Sequence, residues 1–162
     1  MIKFDNFKNI ILDFDGVLTD NSVYVNENGQ ESVKCSRSDG LALSALRKLN
    51  FNISILSTEE NKVVSERAKK LKIQVIQGVR DKEMILKKLS LEKGLDLNKT
   101  IYIGNDLNDY RAMLLCSLKC CPLDSHTKIK EISDVVFKAK GGNGVIRELT
   151  EEFLGIDLLK LI

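Results

Sequence analysis

The chain of 162 residues carries 25 basic and 23 acidic side chains, a net charge of +2 and 43% hydrophobic residues, the composition of a globular domain long enough to bury a core. Charge this balanced, the lack of tryptophan and the absence of a basic stripe interleaved with aromatics exclude a nucleic-acid-binding chain. Apolar runs such as Ile10-Ile11-Leu12 are too short to span a bilayer, and residues 1–12 lack the features of an export signal, so the expected compartment is the cytoplasm.

Taken in chain order, short apolar runs alternate with longer segments of helical period, which is the α/β pattern. Residues 9–14 (NIILDF) read as a buried strand ending in carboxylates. Residues 22–36 alternate apolar and polar around Asn28-Gly29, a hairpin signal. Ser38-Asp39-Gly40 opens a helix with Leu41, Leu43, Ala45, Leu46 and Leu49 at its apolar positions. A second buried strand is expected at 52–57, followed by a helix at 59–71 capped by Thr58. A short strand at 73–76, a turn at Gln77-Gly78 and a helix near 81–93 come next. The strand TIYI at 100–103 leads to a helix at about 107–116, strand-like pieces near 118–121 and 134–137, a glycine loop at 141–144 and a last helix at 145–154. The pattern predicts one domain over residues 1–162, a parallel sheet with helices on both faces and a β-hairpin inserted at about 22–36.

Cys35, Cys116, Cys120 and Cys121 form no CxxC pair, and their reading is that of small buried hydrophobes, three of them near the end of a helix. His126 is the only histidine and is expected on the surface or in a loop, so Ser-His and multi-histidine metal chemistry lack raw material.

Ligands of such sheets bind beyond the carboxyl ends of the strands. There the sequence places Asp13 and Asp15, then Ser57, then Lys82, then Asn105, Asp106 and Asp109. Carboxylates without histidine or thiol pairs suit a hard, oxygen-loving cation such as Mg²⁺. Lys82 and Ser57 are donors suited to phosphoryl oxygens. Phosphoryl transfer asks mainly for in-line positioning and charge neutralisation, which this set supplies.

DFDGVLTD at 13–20 resembles the DxDGxxxD signature of haloacid-dehalogenase-type (HAD) phosphatases, and ILS at 55–57, DK at 81–82 and GNDLND at 104–109 resemble the superfamily's other three motifs in order. The hairpin, RSDG at 37–40, QGVRDK at 77–82 and GGNGVIRE at 141–148 are similar to the capless branch acting on 2-keto-sugar-acid phosphates, namely 3-deoxy-manno-octulosonate 8-phosphate and nonulosonate 9-phosphate phosphatases. LSTEENKVV at 56–64 is similar to the phosphatase-like domain attached to, or encoded beside, acylneuraminate cytidylyltransferases.

The resemblance implies a Rossmann-like domain with no cap. It implies Asp13 as nucleophile and Asp15 as general acid and base. Ser57 and Lys82 would hold the phosphoryl group, with Asp109 orienting Lys82 or a metal-bound water. Mg²⁺ would sit on Asp13, Asp15 and the fourth motif, through Asn105 or Asp106. Where the phosphatase pattern reads GDDxND this chain has Asn105, a neutral ligand expected to weaken metal binding.

Glu59 stands where the octulosonate enzymes carry arginine and the nonulosonate enzymes glutamate, which favours a nonulosonate 9-phosphate as substrate. Arg67, Lys70 and Arg147 are the implied contacts for the sugar-acid carboxylate. The resemblance also implies a homotetramer that packs its hairpins together through Val23, Val25, Val33 and Cys35 and completes each site from a neighbour. Two other readings stand beside it: a 3-deoxy-manno-octulosonate 8-phosphate phosphatase, and a weakly active scaffold partner of a cytidylyltransferase. A receiver domain is excluded, because its acceptor would follow the third strand, where Gln77-Gly78 stand.

Overall fold

The computed structural model describes residues 6–161; part of the segment read for an export signal, and both ends of the expected 1–162 domain, lie outside them. Six strands form one sheet, every pairing parallel: β1 (Asn9–Leu12), β4 (Asn52–Leu56), β5 (Gln74–Ile76), β6 (Thr100–Ile103), β7 (Leu118–Cys121) and β8 (Val135–Val136). Their spatial order is β5-β4-β1-β6-β7-β8. Counted along the chain, this is the doubly wound order 3-2-1-4-5-6, whose ligand crevice opens where the order reverses, between β1 and β6.

The period-2 rule assigns the two faces of the sheet. Ile10 and Leu12 of β1, with Ile53, Ile55, Ile101 and Ile103, pack with Leu43 and Leu46 of α1 (Arg37–Lys48), Val64 and Ala68 of α2 (Lys62–Leu71), and Val145 and Ile146 of α6 (Val145–Glu148). Ile11, Tyr102 and Cys121 point the other way, to Leu86 of α3 (Lys82–Lys93), Met113 of α4 (Tyr110–Met113) and Ile129 of α5 (Thr127–Ile132). Strands buried on both faces explain the uninterrupted apolar runs in the sequence. Among the described residues no helix is long and apolar enough to cross a membrane.

The inserted hairpin pairs β2 (Thr19–Val25) with β3 (Glu31–Cys35), starting earlier than residue 22 because Thr19 pairs with Cys35. Its turn is built by Asn26, whose side chain accepts from the backbone of Asn28 and Gln30. Val33 and Cys35 pack against the domain's own core, whereas Val23, Tyr24 and Val25 are exposed.

Several boundaries differ from expectation for local reasons. Ser36, not the Ser38 segment, caps α1. Helix α2 is capped by Asn61 instead of Thr58. Residues 57–61 form a turn of their own, in which Ser57 Oγ accepts from Glu59 N–H and the Glu59 carboxylate accepts from the Glu60 and Asn61 N–H groups. The helix expected at 107–116 shrinks to α4, because the backbone before it winds around the Asp109 carboxylate. The last helix continues beyond α6 as a π-helical turn over Leu149–Phe153. Cys120 and Cys121 lie in β7, not at a helix end; all four cysteines are free. Burial pushes the Cys116 thiol up to about 12, which keeps it unreactive. His126 caps α5 from an exposed position.

One buried carboxylate ties the two ends of this architecture together. Asp39, in the first turn of α1, accepts from the backbone N–H groups of Gly144, Ile146 and Arg147 at 3.2, 2.8 and 3.0 Å. It thereby fixes the glycine loop, whose Gly142 N–H donates to Val17 O in the DFDGVLTD segment. A Cβ at Gly141 would collide with the carbonyl of Gly16, so this close approach demands glycine.

Candidate active site

The site is assembled from the ends of β1, β4 and β6 and the first residue of α3. Asp13 follows β1 directly, its N–H bonded to Ile103 O of β6. One carboxylate oxygen, Oδ1, accepts from Phe14 N–H at 2.7 Å and meets Lys82 Nζ at 2.8 Å. Lys82 is the first residue of α3, capped by Asp81, and its side chain runs fully buried into the site. Its ammonium sits between two carboxylates, donating to Asp109 Oδ1 at 2.7 Å as well. Burial opposes the charge on Lys82, but Asp13 and Asp109 more than offset it and hold the ammonium above its ordinary value. Burial pushes the Asp13 carboxyl up and Asp109 adds to the effect, with Lys82 pulling the other way.

Asp109 is held by four donors. Oδ1 takes Lys82 Nζ and the hydroxyl of Tyr102 at 2.8 Å, and Oδ2 takes the N–H groups of Asn105 at 3.0 Å and Asp106 at 3.4 Å. A carboxylate so saturated cannot swing, and it fixes where Lys82 points. Tyr102 was missed by sequence reasoning. The alternation of TIYI put its ring in the core, yet nothing local showed that its hydroxyl reaches Asp109.

Asp15 is half-buried. Its pKa is raised by burial first and by the facing Glu59 second, against a bond from Thr19 Oγ1 at 3.3 Å. Thr19, also missed, links Asp15 to the turn by accepting from Gly16 N–H at 3.1 Å. Ser57 is buried at the end of β4, anchored through its backbone to Ile76 and Val79.

Asn105 stands at the end of β6 beside the first-motif turn. At Gly16, whose φ is +80°, a Cβ would run into the Asn105 amide. With its NH₂ turned inward, Asn105 donates to Asp15 O at 2.8 Å and Asp13 Oδ2 at 3.3 Å. With its carbonyl inward, three oxygens converge with no hydrogen between them. That donor set, one carboxylate oxygen and two carbonyl oxygens, fits a hard divalent cation. Asp106 is exposed and its carboxylate accepts from Leu107 N–H, so it stands at the mouth of the cleft.

Asp13, Asp15, Asn105 and Asp106 line a cleft of about 270 Å³ with Asn21, Thr58 and Asn108. A larger hollow of about 560 Å³, with Arg80 and Arg111 on its wall, flanks it and shares Asn108. The smaller cleft is the candidate centre because Asp13 and the converging oxygens lie in it.

The structure does not bring together all the expected substrate contacts. Glu59 shares a small cavity of about 160 Å³ with Asp15, Glu31 and the hairpin. Arg67 instead donates to Ser36 O at 2.9 Å, at the junction of hairpin and α1. Lys70 is exposed near the far end of α2, and Arg147 pairs with Glu151 at 3.0 Å. None of these three lines either cavity.

Residues 45–149 match the model of haloacid dehalogenase-like hydrolases. The chain superposes with a TM-score of 0.93 on a HAD-family hydrolase from Streptomyces avermitilis, at 37% identity over 98% of this chain and 91% of that one. A 3-deoxy-D-manno-octulosonate 8-phosphate phosphatase from Moraxella catarrhalis, solved with magnesium, phosphate and KDO, gives 0.87 at 31% identity over 98% and 88%. The Haemophilus influenzae 3-deoxy-D-manno-octulosonate 8-phosphate phosphatase KdsC is 29% identical over 94% of this chain and 85% of its own. The chain therefore belongs to the haloacid dehalogenase-like hydrolases.

Proposed function

We propose that the chain is a phosphomonoester hydrolase acting on a 2-keto sugar-acid phosphate of the 3-deoxy-octulosonate 8-phosphate class through an aspartyl-phosphate intermediate. The observation that carries this is the Asp13 carboxylate at the switch point of the sheet, locked on one side by Lys82 and Phe14 N–H and open on the other to the cleft.

In the proposed reaction an oxygen of Asp13 attacks phosphorus as the bond to the sugar oxygen breaks. Asp15, whose raised pKa favours keeping a proton, gives it to the departing oxygen. Asp15 then takes a proton from the water that attacks the phosphorylated Asp13, and inorganic phosphate leaves. Lys82 and Ser57 bind the phosphoryl oxygens, and Asp109 with Tyr102 keeps Lys82 in place. Mg²⁺, when held by Asp13, the Asp15 carbonyl and Asn105, would neutralise charge on the transferring group.

Glu59 alone had favoured a nonulosonate 9-phosphate. The named relatives shift that reading. The Haemophilus influenzae and Moraxella catarrhalis relatives compared above are octulosonate 8-phosphate phosphatases. One Glu59 carboxylate oxygen, Oε1, accepts from two backbone N–H groups of its own turn, at 2.8 Å each, which fixes the carboxylate and leaves Oε2 to accept from a ligand. Phosphate release from the two sugar-acid esters and from p-nitrophenyl phosphate tests the proposal: kcat/KM is expected to be highest for the octulosonate ester. A preference for the nonulosonate ester would return specificity to Glu59, and no turnover of any ester would sink the enzyme.

The hairpin supports assembly. Val23, Tyr24 and Val25 are each more than half exposed, an apolar edge that an isolated ribbon leaves wet. We infer a homotetramer in which hairpins pack together and a neighbour supplies Lys70 or Arg147 to the sugar carboxylate; light scattering at one chain mass would refute it. The intact Asp13, Lys82 and Asp109 set gives no support to a purely scaffolding partner of a cytidylyltransferase.

A further inference from the structure

Asn105 occupies an unusual position for an amide. Its end group faces two acceptors, Asp13 Oδ2 and the Asp15 carbonyl, and only its nitrogen can satisfy both. These are also the two oxygens that the cation reading assigns to the metal. The residue is largely buried in the wall of the cleft, where a polar group is expected to find a protein partner.

We propose that Asn105 is a reversible stand-in for the cation. In the metal-free protein its NH₂ bridges Asp13 Oδ2 and Asp15 O; when a divalent ion enters, the amide turns over and presents its oxygen as a ligand. The backbone of Asn105 need not move for this, since its N–H stays on Asp109 and its carbonyl stays on His126 N–H. Gly16 leaves the room that a side chain there would fill.

A carboxylate at 105 would behave in the opposite way. It would set a second negative charge against Asp13 with no hydrogen between them, so the metal-free fold would be strained and the ion strongly drawn. Asparagine thus gives a site that is stable empty and binds its ion more weakly. The inference rests on the cation reading of the cleft, but it concerns the empty state, and its test uses no substrate.

The test compares the parent, Asn105→Asp and Asn105→Ala in EDTA and in Mg²⁺, by thermal unfolding and by ¹⁵N-resolved side-chain amide signals, the Asn105 pair being identified by its loss in Asn105→Ala. In EDTA the Asn105 NH₂ of the parent is expected to exchange slowly with solvent, and Mg²⁺ is expected to shift it and release that protection. Asn105→Asp should have a lower Tm than the parent in EDTA, a larger rise with Mg²⁺, and an affinity for Mg²⁺ higher by roughly tenfold. Should Asn105→Asp fold only with Mg²⁺, that supports the proposal. Asn105→Ala, which can neither bridge nor coordinate, should be less stable than the parent in EDTA and gain little from Mg²⁺. A freely exchanging Asn105 NH₂ in EDTA, or an Asn105→Asp Tm in EDTA equal to the parent's, would overturn it while leaving the hydrolase reading intact. Protection in EDTA with no response to Mg²⁺ in any variant would overturn both the exchange and the cation reading.

Discussion

Asp13→Asn is expected to lower phosphate release by about 10⁴-fold or more while leaving the fold as stable as the parent's or more so. The loss follows from chemistry, because an amide cannot serve as the attacking carboxylate. The stability follows from electrostatics. Burial and Asp109 raise the Asp13 pKa in the folded chain above its unfolded value. A carboxyl shifted in that direction favours the fold while protonated, and that contribution is lost as pH climbs from the unfolded value through the raised one. Above that raised value the ionised Asp13 is a burden on the fold, which a neutral isostere removes. Lys82 keeps its bond to Asp109 in the variant. Activity and urea midpoint measured on one preparation check both halves, and a variant that loses activity by unfolding would contradict the account.

The second large effect belongs to Lys82. Lys82→Met is expected to destabilise the protein by about 3–5 kcal/mol, since it leaves Asp13 and Asp109 buried together without their shared cation. Tyr102 and the backbone N–H groups of Asn105 and Asp106 still hold Asp109, so the charge stranded by the change is chiefly that of Asp13. Adding Asp13→Asn to Lys82→Met should then recover much of the lost stability without recovering turnover. Urea unfolding of the parent, both single variants and the double variant gives this coupling directly. A Lys82→Met protein as stable as the parent would show that the buried triad does not act as a unit.

The contrast between these two variants reflects how the site was legible in sequence. Asp13, Asp15, Ser57 and Asn105 stand next to apolar runs that could only be central strands, and strands buried on both faces put their ends at one crevice. Lys82 was legible by its place after Asp81, but not its burial, which depends on α3 starting at that residue. What stayed hidden was set by long-range contacts. Tyr102 looks like any strand aromatic until β6 is laid beside β1 and its hydroxyl meets Asp109. Asp39 reads as an ordinary first-turn acid, though its partners lie more than a hundred residues on. Helix starts failed where side chains redirected the backbone: Ser57 and Glu59 delay α2 to Asn61, and Asp109 shortens α4. The setting of Glu59 was hidden for the same reason, since one oxygen of its carboxylate, Oε1, is held by the backbone of its own turn.

The most direct test of the central claim is rapid quenching of a single turnover in acid, followed by mass mapping of the chain. A phosphoryl adduct on Asp13 that forms and decays at the rate of phosphate release, and is missing in Asp13→Asn, is the predicted result. Turnover with no adduct at Asp13, or an adduct on another residue, would contradict it.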